Sequence, residues 1–195
     1  MSKSDPASAK KERNKTIRWV VTIFFVTIFV SGTISLISDQ IMSVSGTAVA
    51  FLILLAIILI GIIFDVIGVA VTSADEKPFH SMAARKVPGS TDVIKLLRNA
   101  ERVSSICCDV IGDICGVVSG SASATIAAQI LSNFEFSWPQ IISLIMSALV
   151  AGLTVGGKAV GKTFAMNSST VIVHTVGKIS YNLGHMGRLF PKKKK

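Results

Sequence analysis

The feature that most constrains this chain is a set of four apolar blocks, each at or near the length of a membrane crossing. Residues 19–37 and 139–157 carry no charge, 48–72 is interrupted only by Asp65, and 103–131 only by Asp109 and Asp113. A helix needs about 20 such residues to cross roughly 30 Å of hydrocarbon. The apolar residues run in blocks rather than alternating with polar faces at a period of 2 or 3.6. Composition agrees, with 50% apolar and 16% charged residues against about 25% charged in an ordinary soluble domain. The expected fold is an all-α integral membrane protein with spans at about 18–40, 48–73, 103–131 and 139–160.

The basic residues predict orientation. Lys and Arg near span ends are retained on the cytoplasmic side. Six precede the first span, six lie in the 75–102 connector and eight fall from Lys158 onward, which accounts for all 20. The outer connectors, around 39–46 and 132–138, have none. This predicts a multi-pass protein of the cell membrane with both termini cytoplasmic. The first block is longer than the apolar core of a signal peptide and no Ala-x-Ala follows it, so a retained span is expected. The net charge of +9 flanks spans and lacks interleaved aromatics, which favours anionic lipid headgroups over nucleic acid as its partner.

Outside the spans, residues 1–16 are polar, contain Pro6 and lack an apolar face, predicting a disordered basic tail, and 191–195 form a second basic tail. After a Pro88-Gly89 turn, residues Ser90 to Asp92 offer N-cap chemistry for a short helix over 90–102. Val93, Ile94, Leu96 and Leu97 would share its apolar face, with Lys95, Arg98 and Arg102 free to snorkel, as in a helix lying on a membrane surface. A second interfacial helix is expected over 168–189, with His174 and His185 on one face, too far apart for one metal and suited to headgroup contacts. The intervening 17–190 region reads as a single transmembrane domain. Gly112, Gly116, Gly120, Ala124 and Ala128 recur every four residues, a ridge that lets another helix approach closely, and Gly152 and Gly156 repeat the theme.

Two motifs carry little chemistry. Cys107, Cys108 and Cys115 fall inside the third span, where a thiol acts as a small apolar side chain, and their spacing fits no zinc site. Residues Gly156 to Thr163 satisfy the phosphate-loop pattern, but that pattern needs a strand before it and a helix after it within an α/β domain. No nucleotide is therefore expected. Nor do a nucleophile, a general base and an orienting group fall together at one membrane face, so no enzyme is expected.

Asp65, Asp109 and Asp113 are the informative residues. Each intramembrane carboxylate costs about 2.5–3.5 kcal/mol on the insertion scale, and something must offset three of them. Helical rise places all three roughly 9–15 Å in from the cytoplasmic ends of their spans, and Asp109 and Asp113 stack on one face at four-residue spacing. Gly68 and Gly112 remove bulk where the two helices would meet. Oxygen ligands without a His or Cys chelate suit a hard cation such as Mg²⁺. Ser73 and Ser105 are candidate further ligands, and Ser104, Ser119 and Thr154 could join them or line a route. Two other readings remain open: the acids carry protons, or Lys158 reaches one of them in a salt bridge between helices.

The stretch from residue 64 to about 181 resembles the transmembrane domain of the CorB/CorC magnesium and cobalt transporters, called CNNM proteins in animals. Lys95-Leu96-Leu97-Arg98-Asn99-Ala100-Glu101-Arg102 resembles that family's leucine-rich helix ending in Asn-Pro-Glu-Arg. Phe64 to Ala70 occupies the place of its Ser-x-x-Glu-Thr-Ala segment, with Asp65 at the serine. Asp109 and Asp113 stand where it has asparagines, one associated with the metal, and Gly157-Lys158 falls near its Pro-Lys step. Gly68 replaces the segment's Glu, Thr154 or a neighbour replaces an acidic residue, the first span is additional and the nucleotide-binding CBS pair has no counterpart. The resemblance implies binding and transport of Mg²⁺ or Co²⁺ by a homodimer; the alternative class is a membrane scaffold or regulatory subunit that transports nothing.

Overall fold

The computed structural model describes the backbone of residues 6–133 and 138–189, and their side chains except at 6–13, 15, 43, 139 and 183–189. The elements are α1 (Pro6–Val44), α2 (Thr47–Ser73), α3 (Lys77–Ala84), α4 (Ser90–Arg98), α5 (Ala100–Ser104), a π-helical segment (Ser105–Gly112), α6 (Asp113–Asn133), α7 (Pro139–Asn167) and α8 (Ser169–Leu189). Among the described residues there is no strand. Four stretches are long and apolar enough to cross a membrane: Thr16–Met42, Thr47–Ser73, Ala100–Asn133 and Gln140–Asn167. The shortest of these have 27 residues, about 40 Å of helix, which exceeds the hydrocarbon thickness. The chain is an all-α multi-pass membrane protein.

Several local expectations are corrected. Residues 6–16, expected to be disordered, continue α1 as helix, while 1–5 and the basic tail 191–195 lie outside the described residues. At its other end α1 runs to Val44, so most of the expected 39–46 connector is helical. The expected 90–102 helix is broken at Asn99, whose φ of −114° and ψ of 27° leave the helical region. Its N-cap is Gly89, in the left-handed conformation at φ 86°, and the Ser90 hydroxyl instead donates to the Val87 carbonyl at 2.6 Å. The apolar face of α4 is covered as expected, with Val93 fully buried. The basic side chains do not simply snorkel: Lys95 pairs with Asp92 at 3.0 Å, Arg98 bonds Glu76 at 3.2 Å, and Arg102 sits 5.7 Å from the Trp19 ring centroid.

α2 is the central helix, packing on α5, the π segment, α6, α7 and α8. It joins two separate apolar clusters. One holds Leu54 and Ile58 of α2 with Ala122, Ile126 and Ala127 of α6 and Met146 and Val150 of α7; the other, at the basic end, holds Ala70, Val71, Phe79, Val93, Ala165 and Val173. The stretch between Ile58 and Ala70 contains Gly61, Asp65 and Gly68. α1 packs chiefly along α6. Near its C-terminus, Thr125 donates to Asp39 at 3.3 Å and Gln129 donates to the Met42 carbonyl; near its N-terminus lies the Arg102–Trp19 contact.

The α4–α8 platform depends on Gly89 and Gly177. A methyl on Gly89 would lie 2.9 Å from the Gly177 backbone, at a φ that L side chains rarely adopt. A methyl on Gly177 would collide with Val93. Both strain and overpacking oppose substitution here, at roughly 1–3 kcal/mol for the packing alone. We expect Gly89→Ala and Gly177→Ala to lower the thermal unfolding midpoint in detergent by several degrees, while Gly32→Ala, with open space at its Cβ, does not lower it.

Candidate intramembrane ionic site

The site forms where α2 meets the third crossing. Gly61 and Gly68 of α2 have no side chains to hold the helices apart: a Cβ on Gly61 would lie 2.8 Å from Cys115 Cβ, and one on Gly68 would strike the Cys108 sulfur. Asp65 lies between these two glycines, about 12 Å of helix from Ser73 at the end of α2. It is 3% exposed. Its carboxylate oxygen Oδ2 is buried and has no hydrogen-bond partner among the described residues. The Cys108 thiol donates to its main-chain carbonyl at 3.6 Å.

Across from Asp65, Gly112 supplies a second gap. A Cβ there would sit 3.9 Å from Asp65 Oδ1 and 3.4 Å from Lys158 Nζ, so the carboxylate and the ammonium gather around one missing methyl. Lys158 reaches this place from α7. Its ammonium donates to the Gly112 carbonyl at 3.4 Å and lies 3.7 Å from Asp113 Oδ1. Its side chain is 21% exposed and that of Asp113 70%. The salt bridge between helices, one of the readings left open by the sequence, is therefore formed by Asp113.

Asp109 and Ser105 sit in the π segment instead of a regular α-helix. Asp109 is exposed and has no ion-pair or hydrogen-bond partner among the described residues. Ser73 is exposed at the C-terminus of α2, two turns from Asp65. The expected constellation of Asp65, Asp109, Asp113, Ser73 and Ser105 is thus not assembled: among the described residues no group of three His, Cys, Asp or Glu side chains is placed to hold a metal ion. The physical reason is the winding. Equal depth on paired helices brings acids together only when their rotation about the helix axis also agrees, and the π turns change that rotation.

Beyond Lys158 toward the opposite membrane face, α6 and α7 enclose a groove of about 210 Å³. Its lining includes the hydroxyls of Ser119, Ser123, Ser147 and Thr154 together with Gly116 and Gly120. Ser119 and Ser123 are buried, and donate to the Gly116 and Gly120 carbonyls at 2.9 and 2.8 Å. Ser119 and Thr154 were candidates from sequence. Ser123, Ser147 and Cys108 were not, although Ser123 repeats Ser119 at four-residue spacing and Cys108 precedes Gly112 by four. The Gly156–Thr163 pattern lies wholly within α7, so its backbone N–H groups are engaged in intrahelical bonds. His174, expected to meet headgroups, instead has its Nε2 buried without a partner among the described residues, and the side chain of His185 lies outside them.

The two charged neighbours of Gly112 make opposite contributions to stability. Removing one member of a paired set leaves the other uncompensated, whereas neutralising a carboxylate whose buried Oδ2 lacks a partner among the described residues relieves part of its desolvation cost. In the absence of added cation, we expect Asp65→Asn to hold or raise the unfolding midpoint and Lys158→Met to lower it. A cycle of Asp113→Asn with Lys158→Met should show a coupling of about 0.5–3 kcal/mol, the range for contacting residues.

No family model matches the chain, and neither a curated protein nor a solved structure is significantly similar to it.

Proposed function

We propose that this protein binds a hard divalent cation, Mg²⁺ or Co²⁺, inside the membrane and carries it across, with Asp65 the carboxylate that receives it. The observation that carries this reading is the buried Asp65 Oδ2 without a partner among the described residues. An ionisable side chain at membrane depth points to function, and an arriving proton or cation would give that oxygen its partner. The Lys158 ammonium stands beside it as the resident positive charge, and an incoming dication displaces it by electrostatic repulsion. The hydroxyl-lined groove between α6 and α7 provides the route from this point toward the far face. The choice of Mg²⁺ or Co²⁺ comes from the resemblance of residues 64–181 to the CorB/CorC transmembrane domain.

In this reading the basic face is cytoplasmic, its Lys and Arg side chains contact anionic lipid headgroups, and the protein resides in the cell membrane. Two copies associate along the ridge at Gly116, Gly120, Gly152 and Gly156, where a Cβ would meet open space. The reading assigns the chain neither enzymatic chemistry nor a bound nucleotide. A second reading, a membrane scaffold or regulatory subunit that transports nothing, is favoured by the Lys158–Asp113 bridge, which sets the register of α7 on α6.

Thermal unfolding of the detergent-purified protein against MgCl₂ and CoCl₂ tests the first reading, since a ligand bound only by the folded state stabilises it by about 2.7 kcal/mol at one hundred times Kd. The wild type should be stabilised, and Asp65→Asn, Asp109→Asn and Asp113→Asn should lose that gain and lose cation flux into proteoliposomes. Unchanged function in a folded Asp109→Asn protein, with no stabilisation of any form by either cation, would establish the scaffold reading.

A further inference from the structure

We propose that the end of the α1–α6 seam farthest from the basic face is a calcium site, in which the Asp39 carboxylate and the Gln129 amide oxygen hold a Ca²⁺ ion that fastens α1 to the bundle. It lies on a different seam from Asp65 and does not depend on the transport reading.

The seam joins two helices that run in the same direction. α1 packs along α6, and successive turns of the two meet in order. Thr125 donates to Asp39 Oδ1 at 3.3 Å, and Gln129, one turn further along α6, donates through Nε2 to the carbonyl of Met42, nearly one turn further along α1. The carboxylate and the amide are thus neighbours on one line of contact. Ser38 and Met42 are buried beside them. Because the Met42 carbonyl can only accept, the other atom of the Gln129 amide is its oxygen. That Oε1 is buried and has no hydrogen-bond partner among the described residues. A buried carbonyl oxygen costs free energy until a donor or a cation meets it.

Electrostatics at this corner select a cation. Both helices end here, α1 at Val44 and α6 at Asn133, so both macrodipoles place partial negative charge near the Asp39 carboxylate. Neither last turn has a basic residue, and the sequence has no Lys or Arg between Arg18 and Lys77 or between Arg102 and Lys158. The compensating charge comes from solution. Carboxylate, amide carbonyl and water oxygens are the ligands of Ca²⁺, which takes roughly six to eight of them in flexible geometry, whereas Mg²⁺ demands a tighter octahedron. With one carboxylate the site is weak, with a Kd of about 10⁻⁴–10⁻³ M, as in extracellular Ca²⁺ modules.

Equilibrium binding of radioactive Ca²⁺ and thermal unfolding against CaCl₂, both at constant ionic strength on the full-length protein in detergent, test the site. The wild type should bind Ca²⁺ with a Kd in that range, and its unfolding midpoint should rise by a few degrees at about ten times Kd. Asp39→Asn should lose both responses and Asp65→Asn should keep both. Gln129→Glu, which puts a second carboxylate at the amide position, should bind Ca²⁺ several-fold more tightly, a gain that stays readable even where Asp39→Asn fails to fold. Absence of Ca²⁺ binding by the wild type would overturn the proposal and leave the buried oxygen to a water molecule. Responses that survive Asp39→Asn, or that vanish in Asp65→Asn, would overturn it by placing the ion elsewhere. Binding by Gln129→Glu no tighter than that of the wild type would overturn the assignment of the amide oxygen as a ligand.

Discussion

Close approach of α2 to the third crossing is the constraint on which the rest of this structure depends. Gly61 and Gly68 bring α2 against Cys115 and Cys108, and Gly112 leaves room opposite Asp65 for the Lys158 ammonium. In a bilayer, where lipid tails are as apolar as leucine, contact of this kind is what holds helices together. It also determines which polar groups are sealed from the surroundings. Asp65 is buried because the helices touch on both sides of it, and it cannot leave without parting the bundle. The two apolar clusters above and below act as fixed ends to this polar layer.

The charges around the layer are unequal. Asp113 has a partner and is largely exposed, Asp109 is exposed with no partner among the described residues, and Asp65 is buried with its Oδ2 unpartnered among them. Such an arrangement differs from a finished metal cage, in which several ligands converge, and from a purely structural ion pair, in which each buried charge is matched. The same few residues thus join packing and electrostatics.

Resemblance and geometry contribute different things to the functional reading. In the proposed reading the choice of cation rests on the resemblance of residues 64–181 to the CorB/CorC pattern, which says nothing of how its ligands are arranged. The geometry supplies a buried carboxylate oxygen without a partner among the described residues, a lysine near that carboxylate and a hydroxyl-lined groove. Lys158 is the point where the two interact most closely. It falls near the resembled family's Pro-Lys step in sequence, and in the proposed reading it is the charge that an incoming dication displaces.

Sequence by itself determined the number and extent of the membrane-spanning helices, because the length of an uncharged apolar run is a local property set against the thickness of hydrocarbon. It also marked Asp65, Asp109 and Asp113, since a charge inside such a run is visible without any structure, and it placed α4 through the spacing of Val93, Ile94, Leu96 and Leu97. Tertiary structure alone decided which acids meet. Depth along an axis follows from counting residues at a constant rise, but facing requires a known winding, and no residue between Ser105 and Gly112 announces the π turns that carry Asp109 away from Asp65. The N-cap of α4 was hidden for a similar reason: Gly89 adopts its left-handed conformation where α8 crosses at Gly177, an encounter between residues 88 positions apart that no local pattern encodes.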